Sequence, residues 1–181
     1  MLCCRGEIVE DVPPPLPLDT PLLLVKPPVG LSTPEIFKAL DLNRRSTADP
    51  RHLLDQLATT GTTATHTDHP TTTAKAVTTL QDLCVNDLEQ PAFDRLPALA
   101  ALKHRLQETG AFTSVFMTGS GSTIVGVGSD AVPDFLVREP EYKDLFISPA
   151  RLIVRKPGEW YAKDAETEVV GAGQGNSVAA A

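Results

Sequence analysis

The fold is decided by one stretch of the sequence, FTSVFMTGSGSTIVGVG at residues 112–128. It contains two runs rich in β-branched and aromatic residues, 112–117 and 123–128. A short loop of glycine, serine and threonine separates them. Strand-forming runs around such a loop are typical of a β-hairpin. The stretch therefore predicts two adjacent antiparallel strands.

The loop of this hairpin is the first candidate site, because Gly119 and Gly121 alternate in it with Ser120 and Ser122. Successive backbone N–H groups in a glycine turn can form a concave anion site, and glycine lets a phosphate come close. Short Gly/Ser loops are also common turns. No lysine follows, and the spacing fits neither a P-loop nor a dinucleotide fingerprint. Taken alone, the residues favour a plain turn.

Further strands are expected on both sides of the hairpin. The apolar run LLLVK at residues 22–26 lies between prolines and suits a buried strand. The run RLIVR at residues 151–155, which ends before Pro157, predicts the final strand. Residues 5–12 predict a short entry strand. Together with the hairpin, these runs indicate a β-sheet.

Helices are expected between the strands. STPE at residues 32–35 is a helix start, because a hydroxyl can cap free N–H groups and proline fits the first turn. A second helix is expected at residues 50–58, capped by Asp49. A longer helical region ends near Gly110, and Pro97 starts a new helix or kinks this one. The residues expected on the inner faces are Ile36, Phe37 and Leu40; Leu53, Leu54 and Leu57; and Phe93, Leu96, Leu99, Leu102 and Leu106.

The polar group Asn86-Asp87-Leu88-Glu89 has two interpretations. Its side chains could contact a ligand. They could also cap the following helix, with acids in the first turn that complement its dipole. The sequence favours capping.

The sequence thus predicts an α/β (α+β) fold, an antiparallel sheet packed with helices. Residues 1–21 read as an N-terminal strand and linker that are a remnant of a preceding domain, and residues 22–162 as one domain. Residues 59–73 are rich in threonine and are interpreted as a disordered insertion, and residues 163–181 as a disordered tail. His66 and His69 fall in the insertion, where a solvated loop is favoured over a metal site.

Composition excludes several classes of function. The 23 acidic and 16 basic residues give a formal net charge of −7, without the basic cluster of a nucleic-acid binder. Cys3, Cys4 and Cys84 form neither a disulfide framework nor paired zinc ligands. We see no apolar run of about 20 residues for a membrane span. The chain is also expected to lack a transit peptide.

Several motifs together resemble the 4-diphosphocytidyl-2-C-methyl-D-erythritol kinase family, a branch of the GHMP kinases. They occur in the family's order and extend from about Arg5 to Tyr161, apart from the insertion, and the last two resemble the plant and algal form. The motifs are RGEIVE at 5–10, KPPVGLSTPEIF at 26–37, NDLE at 86–89, MTGSGST at 117–123, EYKD at 141–144 and EWY at 159–161.

The resemblance implies a C-terminal GHMP kinase domain and a specific reaction. The family transfers the γ-phosphoryl of ATP, with Mg²⁺, to the 2-hydroxyl of diphosphocytidyl-methylerythritol. This is a step of non-mevalonate isoprenoid biosynthesis, located in plastids in plants and algae. The loop matches the family's third motif, so Gly119, Ser120, Gly121 and Ser122 are expected to border the ATP phosphates. Small molecules, and neither nucleic acid nor membrane, are the expected partners.

One departure from the family is large. Its phosphate-cradling Gly/Ser loop, catalytic Asp and supporting Lys lie upstream of the RGE segment, and here only four residues precede Arg5. No catalytic residue is therefore assigned to this chain, and we expect the chain alone to be inactive. The alternative is a non-catalytic ligand-binding or regulatory domain derived from the kinase.

Overall fold

The computed structural model describes residues 2–3, 8–9, 14–62 and 79–154. Most of the RGEIVE motif, the greater part of the threonine-rich segment with His66 and His69, the EWY motif and residues 163–181 lie outside the described residues. Among those that are described, no helix has both the length and the apolar composition that a membrane crossing requires.

A four-stranded antiparallel sheet forms the centre of the domain, as the sequence predicts. The strands are β1 Leu2–Cys3, β2 Ile8–Val9, β3 Leu22–Lys26, β4 Ser114–Met117, β5 Ile124–Val127 and β6 Phe146–Ala150. The order in the sheet is β4-β5-β3-β6, and β3 pairs with both neighbours along its length. A separate pair of short strands, β1 and β2, lies near the N-terminus.

The hairpin and the strand at residues 22–26 are confirmed. Strand β4 pairs with β5, and Met117 and Ile124 form the pair next to the connecting loop. On the other side of β5, Ile124 faces Val25 of β3. The loop after Met117 therefore lies at the same end of the sheet as the exposed Lys26.

The final strand is not where the sequence predicts it. Residues 151–154 form no strand, and Ile153 and Val154 are 69% and 67% exposed. The edge strand is β6 instead, and its five residues pair with all five residues of β3. Residues 151–154 therefore cannot pair with β3, because β5 and β6 already occupy its two sides. Pro149 is tolerated in β6 because an edge strand does not need every N–H group.

Six helices and one 3₁₀ turn accompany the sheet in the described residues. Pro97 starts a new helix, which is one of the two outcomes that the sequence allowed. At the start of the second helix, the side chain of Asp49 accepts a hydrogen bond from the Arg51 amide at 2.9 Å. The helices are α1 Thr33–Ala39, α2 Pro50–Thr62, α3 Leu80–Leu83, α4 Glu89–Arg95, α5 Pro97–Glu108 and α6 Asp134–Arg138, and the 3₁₀ turn is Pro140–Tyr142.

Two expectations about the helices need correction. Helix α2 continues to Thr62, four residues past its expected end, because the threonine-rich segment begins within the helix. In α1, Ile36 is fully buried, but Phe37 is 57% exposed. A helix of seven residues buries only a narrow stripe. Phe37 lies about 100° around the helix axis from Ile36, so its side chain falls outside the buried stripe.

The main core lies between the helices and one face of the sheet. Helix α5 contributes buried residues at three- and four-residue spacing, which the sequence predicted. The buried members are Leu23, Val25, Ile36, Ala92, Leu99, Leu102, Leu106, Val115, Met117, Ile124 and Leu136. A smaller cluster of Leu22, Val125 and Val127 lies on the other face.

Candidate functional site

The glycine loop closes the β4–β5 hairpin and is held by two backbone hydrogen bonds. The Thr118 amide donates to the Thr123 carbonyl at 3.0 Å, and the Gly121 amide donates to the Thr118 carbonyl at 3.1 Å. Gly119 has φ +58° and Gly121 has φ +87°, values that favour glycine. The glycines are therefore required by the backbone path of the loop.

Gly119 and Ser120 form the open part of the loop. Gly119 is exposed, and a Cβ added there would meet no atom within 4 Å. Ser120 is half-buried, and its Oγ lies 2.8 Å from Oγ1 of Thr33, in the first turn of α1. The structure thus brings the loop together with the STPE segment, which lies some ninety residues earlier.

Gly121 and Ser122 face the protein interior instead. A Cβ on Gly121 would lie 2.7 Å from the buried Met117 Sδ and 3.1 Å from Leu31 Cδ1. Ser122 is only 2% exposed, and its Oγ donates to the Val29 carbonyl at 2.8 Å. Packing and an internal hydrogen bond therefore account for these two residues, and the Ser122 hydroxyl is not directed at an external ligand.

The side chain of Asn86 holds the loop from outside the hairpin. Its Nδ2 donates to the carbonyls of Met117 at 2.7 Å and Gly119 at 2.9 Å. Its Oδ1 accepts from the Leu88 amide at 3.0 Å, just before α4 begins. The N-cap residue Leu88 makes no side-chain capping bond. The side chain of Asn86 thus stabilises the turn before α4 and also binds two carbonyl groups at the glycine loop.

Glu89 and Gln81 pair with the outer edge of β4. Glu89 Oε1 accepts from the Met117 amide at 2.8 Å, while its Oε2 lies 2.6 Å from Lys103 Nζ. Gln81 Oε1 accepts from the Val115 amide at 2.7 Å. An edge strand exposes unpaired N–H groups, and these side chains satisfy two of them. Sequence reasoning missed this function, because nothing in the spacing ties residues 81–89 to residues 115–119.

Other candidate groups do not add a catalytic centre. Among the described residues, no group of three or more His, Cys, Asp or Glu side chains could hold a metal ion. Burial raises the pKa of the Cys84 thiol, which disfavours the reactive thiolate. A cavity of about 320 Å³ between α1 and α4 is lined by four carboxylates and one basic side chain, Arg44, and this excess of negative charge disfavours a phosphate. The carboxylates are Asp41, Asp87, Glu89 and Asp94.

Comparison with known proteins points to one enzyme family. Over 169 residues, the chain is 43% identical to "4-diphosphocytidyl-2-C-methyl-D-erythritol kinase, chloroplastic/chromoplastic" of Solanum lycopersicum. Over 163 residues, it is 42% identical to the chloroplastic kinase of Arabidopsis thaliana. These alignments cover 92% and 89% of the chain. The chain matches the C-terminal part of the 4-diphosphocytidyl-2-C-methyl-D-erythritol kinases.

The match to these kinases is partial in length. The chain spans 38% of the length of both plant relatives. A bacterial relative from Geobacillus kaustophilus is 30% identical over 123 residues, which cover 68% of the chain and 36% of the relative. No protein-family model matches the chain.

A solved structure of such a kinase supports the fold assignment. A crystal structure of 4-(cytidine 5'-diphospho)-2C-methyl-D-erythritol kinase aligns with a TM-score of 0.50 and 23% identity. The alignment covers 80% of this chain and 46% of that one. The expected α+β fold, an antiparallel sheet with helices as in GHMP kinases, is thereby confirmed.

Proposed function

We propose that this chain supplies the phosphate-facing C-terminal part of an ATP-dependent kinase. Its substrate would be 4-diphosphocytidyl-2-C-methyl-D-erythritol, phosphorylated on the 2-hydroxyl. The observation that carries the proposal is the open end of the glycine loop at Gly119 and Ser120, where backbone and a hydroxyl are accessible. The loop occurs in a chain 43% identical to a protein named as this kinase.

ATP fits this loop through its phosphates. Phosphate oxygens accept hydrogen bonds from backbone N–H groups, and a glycine without neighbours leaves room for their approach. Of the four residues expected to border the phosphates, Gly119 and Ser120 would make the direct contacts. Gly121 and Ser122 would set the conformation of the loop through Met117 and Val29.

No magnesium ligand is assigned among the described residues. Kinases usually hold Mg²⁺ with carboxylate or amide oxygens that converge beside the phosphates. Among residues 14–62 and 79–154, no three His, Cys, Asp or Glu side chains are close enough together to hold a metal ion. The proposal therefore assigns no metal ligand and no catalytic base to this part of the molecule.

The names of the same relatives support a proposal for the biological setting. The plant relatives from Solanum lycopersicum and Arabidopsis thaliana are named chloroplastic/chromoplastic and chloroplastic, respectively. We therefore place the activity in plastids, within non-mevalonate isoprenoid biosynthesis. Import of a fluorescent fusion of the whole gene product into plastids would test this location. A cytosolic signal would contradict it.

A chimeric enzyme tests the proposed function. The part of the Solanum lycopersicum kinase that aligns with this chain would be replaced by the chain's own residues. We expect the chimera to phosphorylate diphosphocytidyl-methylerythritol with ATP, while the 181 residues alone remain inactive. A chimera that folds, binds neither ATP nor substrate and gives no turnover would overturn the proposal. A chimera that binds ATP without turnover would favour the alternative of a non-catalytic binding domain.

A further inference from the structure

We propose that Asn86 is a positioning residue that turns the Ser120 N–H group toward the open side of the glycine loop. The inference rests on the proposed function for its biological meaning, because it assigns the phosphate donor of that site. Its geometric part concerns the loop alone and is tested separately.

The first step of the argument is the hydrogen bonding of Asn86. The carboxamide uses both of its N–H donors and one of its two acceptor lone pairs, since Nδ2 donates to Met117 O and Gly119 O while Oδ1 accepts from the Leu88 amide. The side chain is half-buried and is fixed at both ends. It therefore holds both carbonyls in fixed directions.

The second step concerns the peptide that joins Gly119 to Ser120. This peptide is trans. A trans peptide is planar, so its C=O and N–H groups point in opposite directions. Because Asn86 holds the Gly119 carbonyl at 2.9 Å, the Ser120 N–H group points away from Asn86.

The Met117–Thr118 peptide, two positions earlier, shows the same relation, and there the hydrogen-bond partner of the N–H group is known. Asn86 also holds the Met117 carbonyl, and the Thr118 N–H group on the far side of that peptide donates to Thr123 at 3.0 Å. Among the described residues, none accepts a hydrogen bond from the Ser120 amide. Ser120 therefore presents a directed donor that is available to an external acceptor. A phosphate oxygen has the chemistry to fill that position.

Substitution of Asn86 by Asp separates positioning from packing. Asn86→Asp keeps the shape of the side chain but replaces the two donated hydrogen bonds with an acceptor facing two carbonyls. We expect the Gly119–Ser120 peptide to rotate away from that repulsion. Gln81→Ala is the matched control, because Gln81 pairs with the same edge of β4 at Val115 and does not contact the loop. Asn86→Ala, which adds no charge, serves if Asn86→Asp fails to fold.

Residual dipolar couplings of the 181-residue chain test the geometry. They report the direction of each N–H bond. We expect the Ser120 coupling to change in Asn86→Asp and to stay at the unsubstituted value in Gln81→Ala. An unchanged Ser120 N–H direction in both Asn86 variants would overturn the proposal.

Kinetics of the chimera described above test the functional part. We expect Asn86→Asp to raise the KM for ATP at least tenfold and Gln81→Ala to leave it within twofold, at similar thermal midpoints. Equal KM values in the two variants would overturn Asn86 as the residue that positions the phosphate donor. If the unsubstituted chimera neither binds ATP nor turns over while the Ser120 N–H group still rotates in Asn86→Asp, the proposed function fails and the positioning stands.

Discussion

Ser122 donates a hydrogen bond from Oγ to the carbonyl oxygen of Val29 at 2.8 Å, although 93 residues separate them. This bond ties the glycine loop to the segment that leads into α1. The hydroxyl is used within the protein, whereas the Ser120 hydroxyl lies at the exposed contact with Thr33. Two serines that each follow a glycine therefore lie in different environments.

The first prediction compares these two serines. We expect Ser122→Ala to lower the free energy of unfolding by about 1 kcal/mol, since a buried intramolecular hydrogen bond is lost. Ser120→Ala is expected to cost less than about 0.5 kcal/mol, because its bond is exposed. Urea unfolding of both variants measures the difference. Equal losses would show that the Val29 bond contributes no more than the exposed one.

A second prediction concerns neighbours in α1. Ile36→Ala should destabilise the domain by about 2–5 kcal/mol, because Ile36 is fully buried in the main core. Phe37→Ala should change stability by less than about 0.5 kcal/mol, because the ring is 57% exposed. Thermal unfolding monitored by circular dichroism distinguishes the two. A large loss on truncating Phe37 would contradict the orientation of α1.

Arg105 is expected to fasten α6 and the 3₁₀ turn to α5. Its guanidinium pairs with Glu139 through both terminal nitrogens, one at 2.7 Å, and lies 4.3 Å from the centre of the Phe135 ring. Arg105→Lys keeps the charge but loses the planar fork and the stacking. We predict faster amide exchange in α6, Asp134–Arg138, with unchanged exchange in β3–β5. Uniform acceleration across the sheet would instead indicate global destabilisation.

The same ion pair predicts a dependence on pH. The hydrogen bond from Arg105 lowers the pKa of Glu139 below its usual range. The resulting stabilisation is present above the unfolded pKa, about 4.3, and is lost as the pH falls through the lower folded pKa. Between about pH 5 and pH 3, the unsubstituted chain should therefore lose more stability than Glu139→Gln. Parallel curves from urea unfolding at each pH would refute this.

Much of the architecture could be predicted from local patterns. Residues 22–26 and the hairpin are apolar, short and bounded by turn residues, so strand formation is dictated locally. Pro97 and the apolar spacing from Leu99 to Leu106 fixed α5 in the same way. Residues 146–150 gave no such signal, because FISPA contains a proline and becomes a strand only through pairing with β3.

The candidate site was predicted less completely, for a related physical reason. The glycine pattern identified the loop, but the direction of each side chain depends on contacts with Val29, Leu31 and Met117. Asn86 was interpreted mainly as a capping residue. Its hydrogen bond to Gly119 joins segments 33 residues apart, and a pattern within one segment carries no information about such a bond.

One comparison of two glycines tests the central claim, that the open loop faces the phosphates. Gly119 and Gly110 have φ +58° and +65°, and a Cβ on either would meet nothing within 4 Å. Alanine at each should therefore cost similar stability, about 1 kcal/mol. In the chimera, we predict that Gly119→Ala lowers kcat/KM at least tenfold, about 1.4 kcal/mol of transition-state stabilisation, while Gly110→Ala stays within twofold. Equal kcat/KM values for the two variants would contradict the account.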